Sequence, residues 1–395
     1  MKIVADENIP YVKEAFGTFG HVEVLSGREI GPERVREADL LLVRSVTVVD
    51  ERLLAGSSVR FVGSATIGLD HIEQAFLRER GITLAYAPGS NANAVAEYVV
   101  AALVALGRER YAGRTLGIIG LGRIGTLVRE KALALGMDVL ANDPPLARAG
   151  VERVGRDGLV ALEDLLTRSD IVTCHVPLTR DGPDATYHLL DDARLSLLPS
   201  HAVVINTARG AVVDNAALLR GLQAKRLGEA VLDVWEGEPA PDPALIRAVT
   251  LGTPHIAGYS WDGKMAGTKM LYDAVCAWLH RRPEWTPPPP QAPPGEVDRR
   301  SAPVVGDRGR SGDDLLRELV LCAYDIHRDD AALREIGKLP GPERGRAFDW
   351  LRASYPQRLE FRHTSVAASE GDATFRDALY RVGFTVGGVS PARTR

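Results

Sequence analysis

Arg209, Glu238 and His255 are the residues whose types and placement point most directly to chemistry. Arg209 closes VVINTAR, Glu238 lies in VLDVWEGEP and His255 in TPHIAGY, each just beyond a run that reads as a β-strand. A guanidinium fork matches a carboxylate in bidentate fashion. An imidazole, with an ordinary pKa near 6.5, accepts a hydroxyl proton as hydride leaves the adjacent carbon. A carboxylate on the other ring nitrogen fixes the tautomer and strengthens the base, and Glu238 is the candidate for it. Taken singly, each has an ordinary reading: a surface charge, a structural histidine, a turn residue before Pro239.

A glycine loop upstream changes the balance. RTLGIIGLGRIG (114–125) sets Gly120, Gly122 and Gly125 after an apolar strand and before an amphipathic helix. The first glycine permits the tight turn, the second lets backbone approach a pyrophosphate, and the third allows close helix–strand packing. The N–H groups at the helix start, where Arg123 and Ile124 lie, face the phosphates. Asp143, in VLANDPP, follows Gly120 by 23 residues, the place of a carboxylate that bonds the adenosine ribose and repels a 2′-phosphate. NAD is therefore expected rather than NADP; the plain alternative is a capping Asp143 before Pro144. His175, at the end of a strand, reads as lining the cofactor site rather than as a second base.

The elements that must hold these residues alternate. Strand-like runs are Lys2–Ala5, Leu40–Arg44, Val59–Gly63, Ile82–Tyr86, Thr115–Ile119, Asp138–Ala141, Ile171–His175, Ala202–Asn206, Glu229–Asp233 and Val249–Leu251. Several are continuously apolar, which suits strands buried on both faces of a parallel sheet. Arg123–Leu135 and Asn215–Ala224 repeat their apolar positions at helical spacing. This alternation is that of an α/β doubly wound protein. Residues 283–312 hold eight of the 24 prolines and read as a semi-rigid tether. Beyond it, Asp313–His327, Arg346–Tyr355 and Ala373–Val382 form a small separate unit.

Composition excludes other classes. The 395 residues are 45% hydrophobic with a net charge of −4, which gives no broad electrostatic reason to bind nucleic acid or an anionic membrane. The most apolar stretch, Val95–Gly107, is too short to span a bilayer and contains Glu97. Three scattered cysteines, Cys174, Cys276 and Cys322, read as reduced thiols of a cytoplasmic protein. The nine histidines have no metal-ligand spacing, so no metal is expected.

Over about residues 1–280 the chain resembles the D-isomer-specific 2-hydroxyacid dehydrogenases, with Arg209, Glu238 and His255 in that family's three motifs and in its order. A closer likeness, to members acting on a phosphorylated sugar acid, rests on DENIP (6–10), VRSVT (43–47), SATIGLDH (64–71), APGSNANAVAEYV (87–99), RGAVVDN (209–215), LDVWEGEP (232–239) and HIAGYS (255–260). The segment from Leu315, with YDIHRDD (324–330), is similar to their C-terminal dimerisation domain.

The resemblance implies two Rossmann-like domains, the NAD-binding one (91–260) inserted into a flavodoxin-like substrate domain (1–90 and 261–285). A proline-rich linker (286–312) and a small α+β domain (313–395) that forms a homodimer follow. It implies an active site in the cleft between the two larger domains. Substrate contacts fall at Ser45, Thr66 and Tyr259, and NAD contacts at Asp143, Val176, Asp233 and Gly258. With Arg44, the first group offers one cation and three hydroxyls for a phosphate and sugar-acid hydroxyls. The implied reaction is NAD-dependent oxidation of 4-phospho-D-erythronate at C2 to (R)-3-hydroxy-2-oxo-4-phosphobutanoate, in pyridoxal 5′-phosphate synthesis. The rivals are 3-phosphoglycerate oxidation and a non-catalytic NAD sensor on the same fold. Arg352 is a candidate to reach a neighbouring subunit's phosphate site.

Overall fold

Valine-, leucine- and isoleucine-rich runs need cover on both faces, and the chain supplies it with two parallel sheets. The structure, a computed structural model, describes residues 1–107, 111–150, 158–290, 312–366 and 373–387. The chain divides into two units, Met1–Asn91 with Tyr259–Gln291 and Ala92–Gly258 with Ala292–Arg395.

In the first unit β1 (Lys2–Asp6), β2 (His21–Leu25), β3 (Leu40–Val43), β4 (Phe61–Ser64) and β5 (Thr83–Tyr86) pair in the order β2-β1-β3-β4-β5, all parallel. This is the flavodoxin-like order, in which ligands sit beyond the carboxyl ends of the strands near the β1/β3 switch. One face is covered by the returning helix Trp261–Trp278, whose Leu271, Tyr272, Val275 and Cys276 pack with Ile3, Phe16 and Phe61. Val4, Leu41 and Val62 face a second apolar cluster on the other side.

In the second unit β6 (Thr115–Ile119), β7 (Asp138–Asn142), β8 (Ile171–Cys174), β9 (Val203–Asn206), β10 (Glu229–Leu232) and β11 (Leu251–Gly252) pair in the order β11-β10-β9-β8-β6-β7, also parallel. Among the described residues Leu159 bridges to Ala141 beside β7, at the place of the third strand of a Rossmann half. The order reverses between β6 and β8, so the dinucleotide crevice belongs at Gly120 and His175. Helix Ala92–Ala105 is apolar nearly all round and accordingly buried.

Helices Gly312–Ala323, Ile326–Ile336, Gly341–Ala353 and Ala373–Val382 belong to the same unit, with a short parallel pair β12 (Ser365–Val366) and β13 (Thr385–Val386). Leu333, Ile336 and Phe348 complete its apolar core. Among the described residues no helix is long and apolar enough to cross a membrane.

Two sequence expectations are corrected. Asp313–His327 is not one helix: it stops at Ala323, and the Asp325 side chain accepts from His327 N at 3.1 Å to cap a new helix. The pattern continues across the break because both helices pack against helix Ala92–Ala105. His21–Leu25 is a strand that periodicity missed, half-buried at the edge of the sheet and interrupted by Glu23. Of the proline-rich stretch 286–312, residues 291–311 lie outside those described.

Candidate active site

The glycine loop is built by close approach. Gly120 has φ +90°, and a Cβ there would lie 2.7 Å from Val176 Cγ1 and 2.9 Å from the His175 carbonyl oxygen. A Cβ on Gly125 would lie 2.1 Å from the Gly120 oxygen, so the helix packs on the turn only through glycine. Gly122 differs: a Cβ there meets nothing within 4 Å, and as N-cap it offers no side chain to the first N–H groups of helix Arg123–Ala134. That combination, open space before unsatisfied donors, fits a pyrophosphate.

Beside the loop, Ile119, Gly120, Gly122, Asp143, His175 and Val176 line a pocket of about 600 Å³, roomy enough for one half of a dinucleotide. Asp143 Oδ2 accepts from Leu121 N at 2.8 Å and its Oδ1 caps helix Pro144–Arg148 through Leu146 N at 3.1 Å. One carboxylate thus holds the loop and caps a helix, and its four lone-pair positions leave room for ribose hydroxyls. His175 bonds Thr173 at 3.0 Å and Thr207 at 3.3 Å, and burial pushes its pKa down to about 3. It is a neutral wall of the pocket.

His255 and Glu238 form a pair, Nδ1 to Oε2, at 2.7 Å. The other carboxylate oxygen accepts from Trp235 N at 2.8 Å. Burial works to raise the Glu238 carboxyl. The charge and hydrogen bond of His255, the Trp235 N–H and the Arg352 charge outweigh it and hold the group below the usual glutamate range. Since a carboxylate only accepts, Nδ1 carries the proton and the imidazole lone pair is left on Nε2. Arg352, on helix Gly341–Ala353, acts here on Glu238 of its own chain.

His255 sits in the left-handed region, φ +57°, at a cost of order 1–3 kcal/mol that its surroundings must offset. They do so through Asp233, whose backbone oxygen accepts from His255 N at 2.7 Å. Its carboxylate, 1% exposed, accepts from Thr253 Oγ1 at 2.6 Å, Ile256 N at 2.7 Å and Ala257 N at 2.9 Å. Burial raises the Asp233 carboxyl above its usual range. Gly258, half-buried, ends this loop.

Arg209 follows β9 at the start of a 3₁₀ turn, its backbone oxygen accepting from Asn206 Nδ2 at 2.9 Å. Asn215 and Glu236 join its loop to that of Glu238. Asn215 N donates to Glu236 Oε2 at 2.9 Å, Glu236 N donates back to Asn215 Oδ1 at 3.1 Å, and Asn215 Nδ2 donates to Gly210 and Val213. Sequence reasoning missed this latch. Both residues stand inside the quoted motifs, but nothing in their spacing joins them.

In the first unit, Arg44 and Ser45 follow β3 and Thr66 follows β4. Arg44 Nη1 donates to the Asn8 oxygen at 2.9 Å, and its guanidinium lies 5.3 Å from the centre of the Tyr259 ring. Lys264 Nζ lies 4.7 Å from the same ring, a second cation that the sequence reading did not single out. Ser45 is exposed, while Thr66 Oγ1 joins Ser64 at 2.6 Å and, beyond it, His71 at 3.1 Å. Two cations against one aromatic ring suit a phosphate ester.

The structure also gathers His188, Asp214 and Glu236, with ligand atoms within 4.8 Å of one another, from three loops that sequence spacing could not connect. Those atoms serve the scaffold: Glu236 Oε1 bonds His188 at 2.8 Å, its Oε2 takes Asn215 N, and Asp214 caps helix Asn215–Gln223.

Residues 92–257 match the family described as D-isomer specific 2-hydroxyacid dehydrogenase, NAD binding domain, and residues 302–383 match a domain of unknown function. The chain is 48% identical over 388 residues to a Salinibacter ruber protein named erythronate-4-phosphate dehydrogenase, covering 96% of this chain and 97% of the relative. A Sodalis glossinidius protein of the same name is 42% identical, covering 97% and 98%. Among solved structures, D-lactate dehydrogenase from Aquifex aeolicus, complexed with NAD and lactic acid, is similar with a TM-score of 0.60 and 25% identity, covering 70% of this chain and 95% of that one.

Proposed function

The chain belongs to the erythronate-4-phosphate dehydrogenases, a branch of the NAD-binding D-isomer-specific 2-hydroxyacid dehydrogenases, and from that premise we propose how its residues divide the reaction. The second unit is the NAD domain and the first takes the substrate. The cofactor is held by Gly120, Gly122 and the helix start at Arg123 and Ile124, with Asp143 on the ribose and His175, Val176, Asp233 and Gly258 beside it. When bound, NAD supplies the acceptor for the hydride leaving C2 of 4-phospho-D-erythronate.

Arg209 clamps the C1 carboxylate and polarises the C2 oxygen as it becomes a carbonyl. Nε2 of His255 takes the hydroxyl proton, and Glu238 stabilises the imidazolium that forms. Arg44, Lys264, Ser45, Thr66 and Tyr259 take the phosphate and sugar-acid hydroxyls. Orientation by the arginine contributes several kcal/mol to barrier lowering, and proton transfer about 10²–10⁴-fold. The product is (R)-3-hydroxy-2-oxo-4-phosphobutanoate, and a role in forming pyridoxal 5′-phosphate in the cytoplasm is part of the same reading.

The observation that carries this reading is the 2.7 Å bond between His255 Nδ1 and Glu238 Oε2, which leaves one basic nitrogen. The test is reduced-nicotinamide absorbance with NAD and a panel of phosphorylated 2-hydroxy acids. The expected result is a kcat/KM for 4-phospho-D-erythronate at least tenfold above that for 3-phospho-D-glycerate; the reverse order would reassign the substrate. We also propose that the segment from residue 313 pairs two copies of the chain. Trp350, 65% exposed on helix Gly341–Ala353, supports an apolar contact there. Sedimentation equilibrium of the full chain should give the dimer mass.

A further inference from the structure

The segment that matches a domain of unknown function reaches the loop of His255 through a buried cation. Arg358, 9% exposed, donates through Nη2 to the Ala257 oxygen and, at 3.4 Å, to the Ala94 oxygen. Its guanidinium lies 4.4 Å from the centre of the Tyr324 ring. The hydroxyls of Tyr324 and Tyr355 both donate to Asp329 Oδ2, at 2.9 and 2.8 Å.

From the other side, Tyr98 Oη meets Thr253 Oγ1 at 2.7 Å. The threonine hydrogen goes to Asp233, so Tyr98 is the donor to Thr253. Ala257 is thereby held at both ends of its peptide groups, its N–H on Asp233 and its carbonyl on Arg358. At the loop's start Asp330 Oδ1 accepts from Gly252 N at 2.8 Å. Arg334, paired with Asp330 at 2.7 Å, donates to the oxygens of Ile246, Val249 and Thr250.

Between those fixed points stands His255 with φ +57°. A non-glycine residue in that region persists only when its neighbours over-determine it. Asp233 supplies part of that constraint from within the NAD-binding domain. Further constraint comes from Asp330 and Arg358, both inside residues 302–383.

We propose that this C-terminal segment is a positioning element for the catalytic histidine, with Arg358 as its principal contact. Arg358 touches neither reactant; it fixes the Ala257 peptide and so the path of the chain through His255, which keeps Nδ1 on Glu238 and Nε2 available. A segment whose work were dimerisation alone would have no need of a buried cation on that carbonyl.

This inference rests on His255 being the base, so His255→Ala is measured alongside the test variants. Full-length R358M and R358K are compared for NAD affinity, melting temperature, kcat and KM for the phosphorylated acid. R358M should bind NAD within threefold of the parent and keep KM within threefold, while kcat falls 30-fold or more; R358K, which keeps a charged donor, should recover most of it. If R358M does not fold, D330A removes the Gly252 contact from the same segment and should lower kcat at least fivefold with KM and NAD affinity kept. Parental kcat in R358M or, failing that, in D330A overturns the proposal. So does a loss of activity that only follows the fraction of NAD-binding protein. An active His255→Ala would instead overturn the assignment of the base.

Discussion

Gly210 lies against the backbone of Trp235 so closely that a Cβ on it would stand 2.0 Å from the Trp235 carbonyl carbon and 2.5 Å from Glu236 N. That contact brings the loop of Arg209 and the loop of Glu238 together, and the Asn215–Glu236 pair locks them. Gly210→Ala must therefore push the two loops apart. Forcing a methyl into a packed site typically costs about 1–3 kcal/mol. A lower melting temperature and a kcat reduced at least tenfold are expected; thermal melts and steady-state kinetics check them.

Glu238→Gln keeps the shape of the pair and removes its charge. Loss of the carboxylate that orients and stabilises an imidazolium should lower kcat by about 10²–10⁴-fold with NAD affinity unchanged. The carboxyl is held below the usual range, so the folded state binds this proton less readily than the unfolded chain. Its stabilisation is full above about pH 4.3 and is lost as pH falls through the lower folded value. Melting curves should show the parent's advantage over Glu238→Gln shrinking as pH falls below about 4.3.

The first two glycines of the loop should fail differently. Gly120→Ala meets Val176 and the His175 carbonyl, and its φ of +90° disfavours any side chain, so it should melt several degrees lower. Gly122→Ala meets nothing within 4 Å in the protein. It should melt like the parent yet lose at least tenfold in NAD affinity, because its methyl takes the space of the pyrophosphate. Titration of nucleotide-dependent fluorescence separates the two.

His175, with a pKa pushed down to about 3, is neutral in the folded protein where the unfolded chain would protonate it. The unfolded state binds more protons between about pH 6.5 and that value, so stability falls as pH falls across this window. His175→Asn should flatten that slope: between pH 7 and 4 its melting temperature should drop less than the parent's.

Much of this was legible in the chain because short-range patterns carry it. The apolar run before Gly120 and the glycine spacing define a strand, a turn and a helix start within 12 residues, Arg114–Gly125. The motifs around Arg209, Glu238 and His255 carry the resemblance. The His255–Glu238 bond joins residues 17 apart, close enough in sequence for strand ends to place them together. What sequence could not reveal is long-range. Asn93 reaches Glu360 across 267 positions, and Arg358 reaches Ala257 across 101; no periodicity records such pairs. Lys264 went unread for a related reason: on a helix, a lysine near a tyrosine looks like any solvated charge until Arg44 is seen on the same ring.

The central claim is that Nε2 of His255 takes the proton as C2 is oxidised, and His255→Ala tests it most directly. Turnover of NAD and 4-phospho-D-erythronate is measured with NAD affinity determined on the same sample. The account predicts a kcat at least 10²-fold lower with NAD bound as tightly as by the parent. Substantial turnover remaining in that variant, or a loss explained by failure to bind NAD, would contradict it.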